Sequence, residues 1–235
     1  MKKIVTLLAL IILASCSSDD NNDVNNGSNK YLSSFSIGSD DGTEQSEVVT
    51  VIYDDNDNIK AFVADDDIIF AYKYDSDNNL ISMSRGFNSD AEYTFEYTNG
   101  RLSGYTDVYS GTTTAITYND QTKMYVIGDS DREIGLKGRD IGVVNDVDGE
   151  NMYTFNYDDS KKGALYNVKG DNLFVLSLFS EFYQYLSVRP MTGISVFENT
   201  YTLENTYDPD GFLTKAAITT NGESQGVLMY QYTER

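Results

Sequence analysis

Short, regularly spaced groups of acidic and amide side chains are the residues here with the most apparent chemistry. Asp54, Asn56 and Asn58 offer oxygens two residues apart, as do Asp75, Asp77 and Asn79, and Asp208 and Asp210 precede Gly211. A helix-flanked calcium loop presents oxygens at its first, third and fifth positions and a bidentate Glu at its twelfth. The twelfth position is Asp65 counted from Asp54 and Gly86 counted from Asp75, and the fifth counted from Asp208 is Phe212. Backbone geometry explains the same residues better. Asp favours the first position of a type I turn, Pro209 presets φ at the second, and Gly211 supplies the positive φ of a following bulge. Asn99-Gly100 is likewise a hairpin-turn pair. Tight turns with no metal and no cofactor are therefore expected, with weak calcium binding by clustered carboxylates as the alternative.

Catalytic centres are sparse. The chain has no histidine and one cysteine, Cys16, and shows neither a glycine-rich phosphate loop nor a G-x-S-x-G elbow. Two carboxyl groups facing each other could serve a glycosidase, yet most aspartates here already have a turn to make. No enzyme is expected. Tyrosine is the abundant functional side chain, at 19 residues. Tyr suits sugar and protein surfaces because it joins a large apolar ring to a polar tip. The candidate ligand-binding residues are Tyr105, Tyr109 and Tyr125, read as lying on the face opposite the main aromatic stripe. Their alternative is core filling.

These side chains must be positioned by strands. Tyr53, Tyr74, Tyr97 and Tyr118 each precede a polar turn, at spacings of 21, 23 and 21 residues, and Tyr207 repeats the phrase. Before the turns the residues alternate: Phe70, Tyr72 and Tyr74 share one face, as do Tyr93, Phe95 and Tyr97. Period two means strand, and one repeat is one hairpin. The expectation is an all-β, antiparallel meander of successive hairpins, strongly curved or forming a half-open barrel. The pattern breaks at 172–186, where apolar residues recur in steps of three and four. One apolar helix of about 14 residues, capped by Asp171 or Asn172 and followed by Pro190, is expected to plug one end or the concave side of the sheet. Two buried strands are the alternative.

The start of the chain gives an address. Lys2 and Lys3 precede an apolar run from Ile4 to Leu13, too short to span a bilayer and suited to a signal-peptide core. Residues 1–15 read as a signal peptide, 16–30 as a lipidated Cys and flexible acidic tether, and 31–235 as a single β-meander domain. Cys16 has no partner for a disulfide, as acylation requires. An ordinary secretory signal is the alternative. Of the 17 basic residues two are Lys2 and Lys3, so the chain from Cys16 carries 15 basic against 37 acidic side chains, a net of −22. Such a charge repels phosphate backbones, so nucleic acid is not an expected partner.

Leu13-Ala14-Ser15-Cys16 resembles the lipobox of bacterial lipoproteins, and the acidic stretch after it resembles the surface-export signal of Bacteroidota lipoproteins. The Tyr-Asp-x-x-Gly-x-Leu phrasing resembles the YD repeats of large secreted bacterial proteins. The whole layout, with "KKGALYNVKGDNLF", one apolar helix and a final "TYDPDGFLTKA…YQYTER", is similar to an uncharacterised lipoprotein domain family of Bacteroidota described as having a porin-like fold. That resemblance implies a lipid-anchored outer-membrane protein at the cell surface and brings no catalytic residues. Gly100, Pro209 and Gly211 carry over only as turn positions. Strands of about seven residues are short of the 9–11 a spanning barrel needs, so a soluble, strongly curved meander or half-open barrel around the helix is expected. The expected role is a non-catalytic surface lipoprotein binding a glycan or an envelope protein. A structural spacer or assembly component is the alternative, and a glycoside-acting enzyme a more distant one.

Overall fold

The computed structural model describes residues 29–39, 47–86, 90–128, 132–146, 151–170, 172–179, 182 and 185–235. The leader, Cys16 and the tether up to residue 28 lie outside the described residues. Strands β1 (Lys30–Gly38), β2 (Val48–Tyr53), β3 (Ile59–Ala64), β4 (Asp67–Tyr74) and β5 (Leu80–Arg85) come first. They are followed by β6 (Tyr93–Thr98), β7 (Arg101–Asp107), β8 (Thr112–Asn119), β9 (Met124–Ile127), β10 (Arg132–Lys137), β11 (Asp140–Asn145) and β12 (Asn151–Tyr157). Helix α1 (Leu173–Phe179) interrupts the meander before β13 (Met191–Val196), β14 (Asn199–Tyr207), β15 (Leu213–Thr220) and β16 (Glu223–Glu234). Each strand pairs antiparallel with its neighbours in sequence, and β1 pairs with β16 from Lys30↔Glu234 to Gly38↔Val227. The sheet is therefore a closed barrel of 16 strands, not the half-open one expected. Closure satisfies the backbone of both end strands and leaves no sheet edge.

The barrel has two unlike ends. One, the turn end, carries the Tyr-Asp turns, the 158–190 connection and both Lys30 and Arg235. The other, the mouth, carries the connections β1–β2, β3–β4, β5–β6 and so on to β15–β16.

At the turn end each element of the repeat has a physical task. Asp54 Oδ1 accepts the Asn56 and Asn58 N–H groups at 2.8 and 2.9 Å, and Asp208 Oδ1 accepts those of Asp210 and Phe212 at 2.9 Å each. Asp75 does the same for Asp77 and Asn79. Gly211, at φ 85°, donates its N–H to the Asp208 carbonyl at 3.0 Å. That closes a type I turn on Pro209 followed by a left-handed residue. Asn99 and Gly100, at φ 54° and 76°, form the two-residue loop between β6 and β7. After the turn a bulge shifts the register, as at Tyr97↔Leu102 followed by Glu96↔Gly104. The tyrosine then reaches back one hairpin. Tyr74 Oη donates to the Ile59 carbonyl at 2.8 Å, Tyr97 to Leu80 at 2.9 Å, Tyr157 to Ile141 at 2.6 Å and Tyr232 to Leu213 at 2.8 Å. Four hairpins are thus latched to the one before, two of them by repeat tyrosines, whereas Tyr207 reaches Asp158 instead.

The lumen is filled. Leu32, Ile59, Phe62, Met83 and Leu228 face inward at 0% exposure. The 158–190 connection folds back into the barrel and supplies the remaining apolar volume. Phe182 meets the rings of Phe35, Phe62 and Phe70 edge-on at 5.2–5.7 Å. Phe179 meets Tyr93, Phe95 and Tyr105, and Phe174 meets Tyr125. Such edge contacts add about 0.5–1.5 kcal/mol each beyond burial. The helix is shorter than expected: seven residues at Leu173–Phe179 in place of about 14 over 172–186. Residues 180, 181, 183 and 184 lie outside the described residues; Leu186 N–H bonds the Phe182 carbonyl at 2.9 Å, and only after it do Ser187 and Val188 accept from Leu165 and Gly163 in extended pairing.

Outside, the polarity reverses. Thr50, Lys73, Glu96, Thr117, Glu204 and Gln231 project from the outer wall and are exposed. A membrane-spanning barrel carries an apolar outer band; among the described residues these polar and charged side chains interrupt the outer wall. Among the described residues no helix is long and apolar enough to cross a membrane.

Candidate functional site

Carboxylates come first, because they held the most chemistry in the sequence. Those of the Tyr-Asp turns are occupied by their own loop N–H groups, as above. No group of three or more His, Cys, Asp or Glu able to hold a metal occurs among the described residues. Asp140 is the buried carboxylate among them, at 5% exposure. Its oxygens accept Val188 N–H at 2.6 Å, Arg189 N–H at 3.3 Å and Arg189 Nε at 3.0 Å. Arg189 also reaches Asp159 at 2.5 Å and lies over the Tyr157 ring. Burial holds the Asp140 carboxyl above its ordinary value despite these partners. This group fastens the plug to β11, with both of its oxygens engaged.

Asp208 behaves oppositely. Burial pushes its pKa up, but the Lys30 ammonium at 2.7 Å and the Phe212 N–H outweigh it, leaving the carboxyl below its ordinary value. Asp158 is lowered by the Ser160 hydroxyl and N–H. A carboxyl with a depressed folded pKa stabilises the fold above the unfolded value, about 3.9, and loses that contribution as pH falls through the folded value. Melting temperature is therefore expected to drop below about pH 4. Lys30→Met should flatten that drop between about pH 4 and pH 2. An acid limb of unchanged slope in Lys30→Met would show that the Lys30–Asp208 contact contributes nothing.

The candidate ligand tyrosines separate. Tyr125 is buried in the lumen against Tyr118 and Phe174, and Tyr105 is half-buried against Tyr93 and Phe179. Neither ring lies on the opposite face from the main stripe. For Tyr105 the bulge at Ser103 flips the alternation and sets it opposite Phe95. For Tyr125 the unbulged β8–β9 hairpin sets it opposite Tyr118. Tyr109, on the β7–β8 loop at the mouth, is 98% exposed. Asp107 caps that loop by accepting the Ser110 N–H at 2.9 Å.

The mouth holds more of the exposed apolar side chains than the rest of the described surface. Large exposed apolar side chains there are Ile37, Val48, Val108, Tyr109 and Phe197, against Ile52, Ile81 and Met229 elsewhere among the described residues. A cleft of ≈ 800 Å³ opens beside Tyr109, lined by Arg85, Asp90, Ala91, Glu92, Asp107 and Val108. Arg85 pairs with Glu92 at 3.4 Å and lies 5.1 Å from the Phe70 ring centroid. Phe197 is a residue the sequence reading missed. It forms the two-residue β13–β14 loop with Glu198, at φ 50° and 67% exposure. Left-handed backbone costs a non-glycine residue about 1–2 kcal/mol, and Asp, Asn or Gly usually take such positions. At this end Asp65, Asp66, Asn221 and Gly222 do so. Nothing local in the sequence marks Phe197 as an exception, because the strain follows from the pairing Val196↔Asn199.

Charge is segregated too. Of the 15 basic side chains from Lys30 onward, the mouth half holds only Arg85 and Arg132; the other thirteen lie towards the turn end. The mouth's described connections and strand ends carry eleven acidic side chains against those two, a net of −9.

By architecture the chain is a closed, plugged antiparallel β-barrel. No family model matches it, and no curated protein is similar to it. Among solved structures it is similar to a porin-like protein from Bacteroides uniformis, with a TM-score of 0.41 and 10% sequence identity over 88% of this chain and 98% of that one.

Proposed function

We propose that the protein is a non-catalytic, lipid-anchored outer-membrane protein at the cell surface, whose barrel offers its mouth to a glycan or protein partner. The observation that carries this reading is the gathering of exposed apolar side chains at the mouth, opposite the end where Lys30 joins the tether. These side chains stand on three separate connections around the rim, β1–β2, β7–β8 and β13–β14, and exposed apolar surface at one end supports an interaction site there. The Leu-Ala-Ser-Cys run supplies the anchor, and the Asn- and Asp-rich residues after Cys16 are the tether. A spacer or assembly component is the second reading, favoured by the solid lumen, which makes the barrel a stiff body.

Two measurements test the proposal. Cells fed a palmitate analogue should label the wild type and not Cys16→Ala; equal labelling would remove the anchor. The unlipidated mature chain should retain a glycan or envelope protein, and Tyr109→Ser should weaken that retention. Loss of nothing on altering the mouth would leave the spacer role.

A further inference from the structure

We propose that the mouth rim docks a lysine- and arginine-rich protein segment, with Phe197 and Tyr109 as its apolar anchors. The inference rests on the mouth being the working face and names what that face fits. Net charge at the mouth is −9 among the described residues, whereas the turn end balances its acids with thirteen bases. One of the two arginines at the mouth is already answered by Glu92. A field of one sign at the tip of a tethered body raises the encounter rate of an oppositely charged partner and repels acidic ones. Anionic lipid headgroups and nucleic acids are disfavoured for the same reason.

Charge alone gives no address, and the two rings provide one. Phe197 holds a bulky side chain at φ 50° on a hairpin tip, with the ring two-thirds in water. A phenylalanine two-thirds in water at a left-handed position contributes little to the core, and strained positions of this kind cluster at ligand clamps. Tyr109 stands fully exposed on a loop whose backbone Asp107 fixes. Exposed aromatic faces also attract Lys and Arg cations directly. A basic segment with apolar residues interspersed meets both requirements.

The test uses the unlipidated mature chain and three probes: a fluorescent 20-residue peptide of alternating Lys or Arg and Leu, the same peptide with Glu for the basic residues, and a neutral oligosaccharide panel. The basic peptide should bind and weaken steeply with added salt, and the Glu peptide should not bind. Phe197→Asn should weaken the basic peptide about tenfold while the melting temperature holds or rises, because Asn accepts the left-handed backbone. Equal binding of both peptides, or basic-peptide binding that Phe197→Asn and Tyr109→Ser leave untouched, overturns the inference. Oligosaccharide binding lost in those variants, with no basic-peptide binding, overturns it while the mouth remains the working face. If no probe responds to either substitution, the docking inference and the mouth reading both fall.

Discussion

Above pH 10 the barrel is expected to unfold cooperatively, over about one to two pH units, as its tyrosines ionise. Six tyrosines, the buried Tyr230 and the half-buried Tyr53, Tyr74, Tyr97, Tyr157 and Tyr232, have phenols pushed up from their ordinary value, mainly by burial of the hydroxyl end. Four of them are the latches, and a phenolate cannot donate to a carbonyl. The sign follows from proton binding. With folded values above unfolded ones, the unfolded chain releases protons first, so stability is intact below pH 10 and falls as pH rises. Each such tyrosine removes about 1.4 kcal/mol per pH unit. Six acting together exceed the roughly 5–15 kcal/mol that holds a domain folded within two units. Absorbance at 295 nm and circular dichroism should change together, and Tyr97→Phe should make the transition less steep. Reversible titration of all the tyrosines near pH 10 with unchanged dichroism would show that the latches are not where the structure puts them.

The second large effect is expected at Gly163. Its Cα lies where the plug doubles back, and a Cβ there would sit 2.5 Å from the Ser187 carbonyl oxygen, 2.8 Å from Arg189 C and 2.9 Å from Val188 C. All three are backbone atoms that cannot rotate aside. Gly163→Val should therefore cost about 3 kcal/mol or more in a urea titration. Partial release of the plug should also expose apolar lumen to a hydrophobic dye. Gly211 gives the contrast. Its surroundings are open, with Lys161 Cδ at 3.9 Å, and its φ is positive. Gly211→Asn should stay within about 1 kcal/mol, whereas Gly211→Val should exceed it. Equal tolerance of Gly163→Val and Gly211→Asn would mean the 163–188 pairing is not formed.

The hairpins were legible because alternation and turn chemistry act over a few residues. The aromatic alternation around Tyr74 and Tyr97 needs no distant contact to be read. Closure was not legible: Leu32 and Tyr232 pair across nearly the whole chain, and no local pattern distinguishes a strand with a free edge from one with a far partner. The facing of Tyr105 was misread because one inserted residue at Ser103 reverses every side chain after it. Seven residues of α1 were readable from spacing, whereas the extended pairing of Ser187 and Val188 with Leu165 and Gly163 depends on contacts over 20 residues away in sequence. At the mouth, Tyr109 was reachable from the sequence as a tyrosine off the main aromatic stripe, although it stands on a loop and not on a strand face. Phe197 was not, since its significance lies in a backbone angle.

Pairing of β1 with β16 has a consequence for how the chain is made. Synthesis delivers β1 first, and its partner on one side emerges only about 190 residues later. Hairpins can form as they appear, but the seam must wait for the final strand, so closing it carries the largest loop-entropy cost in the fold. Until then β1 and the newest strand both present unpaired backbone to other chains. The chain is therefore most prone to aggregation before β16 pairs with β1, and a holding chaperone should matter most at that stage.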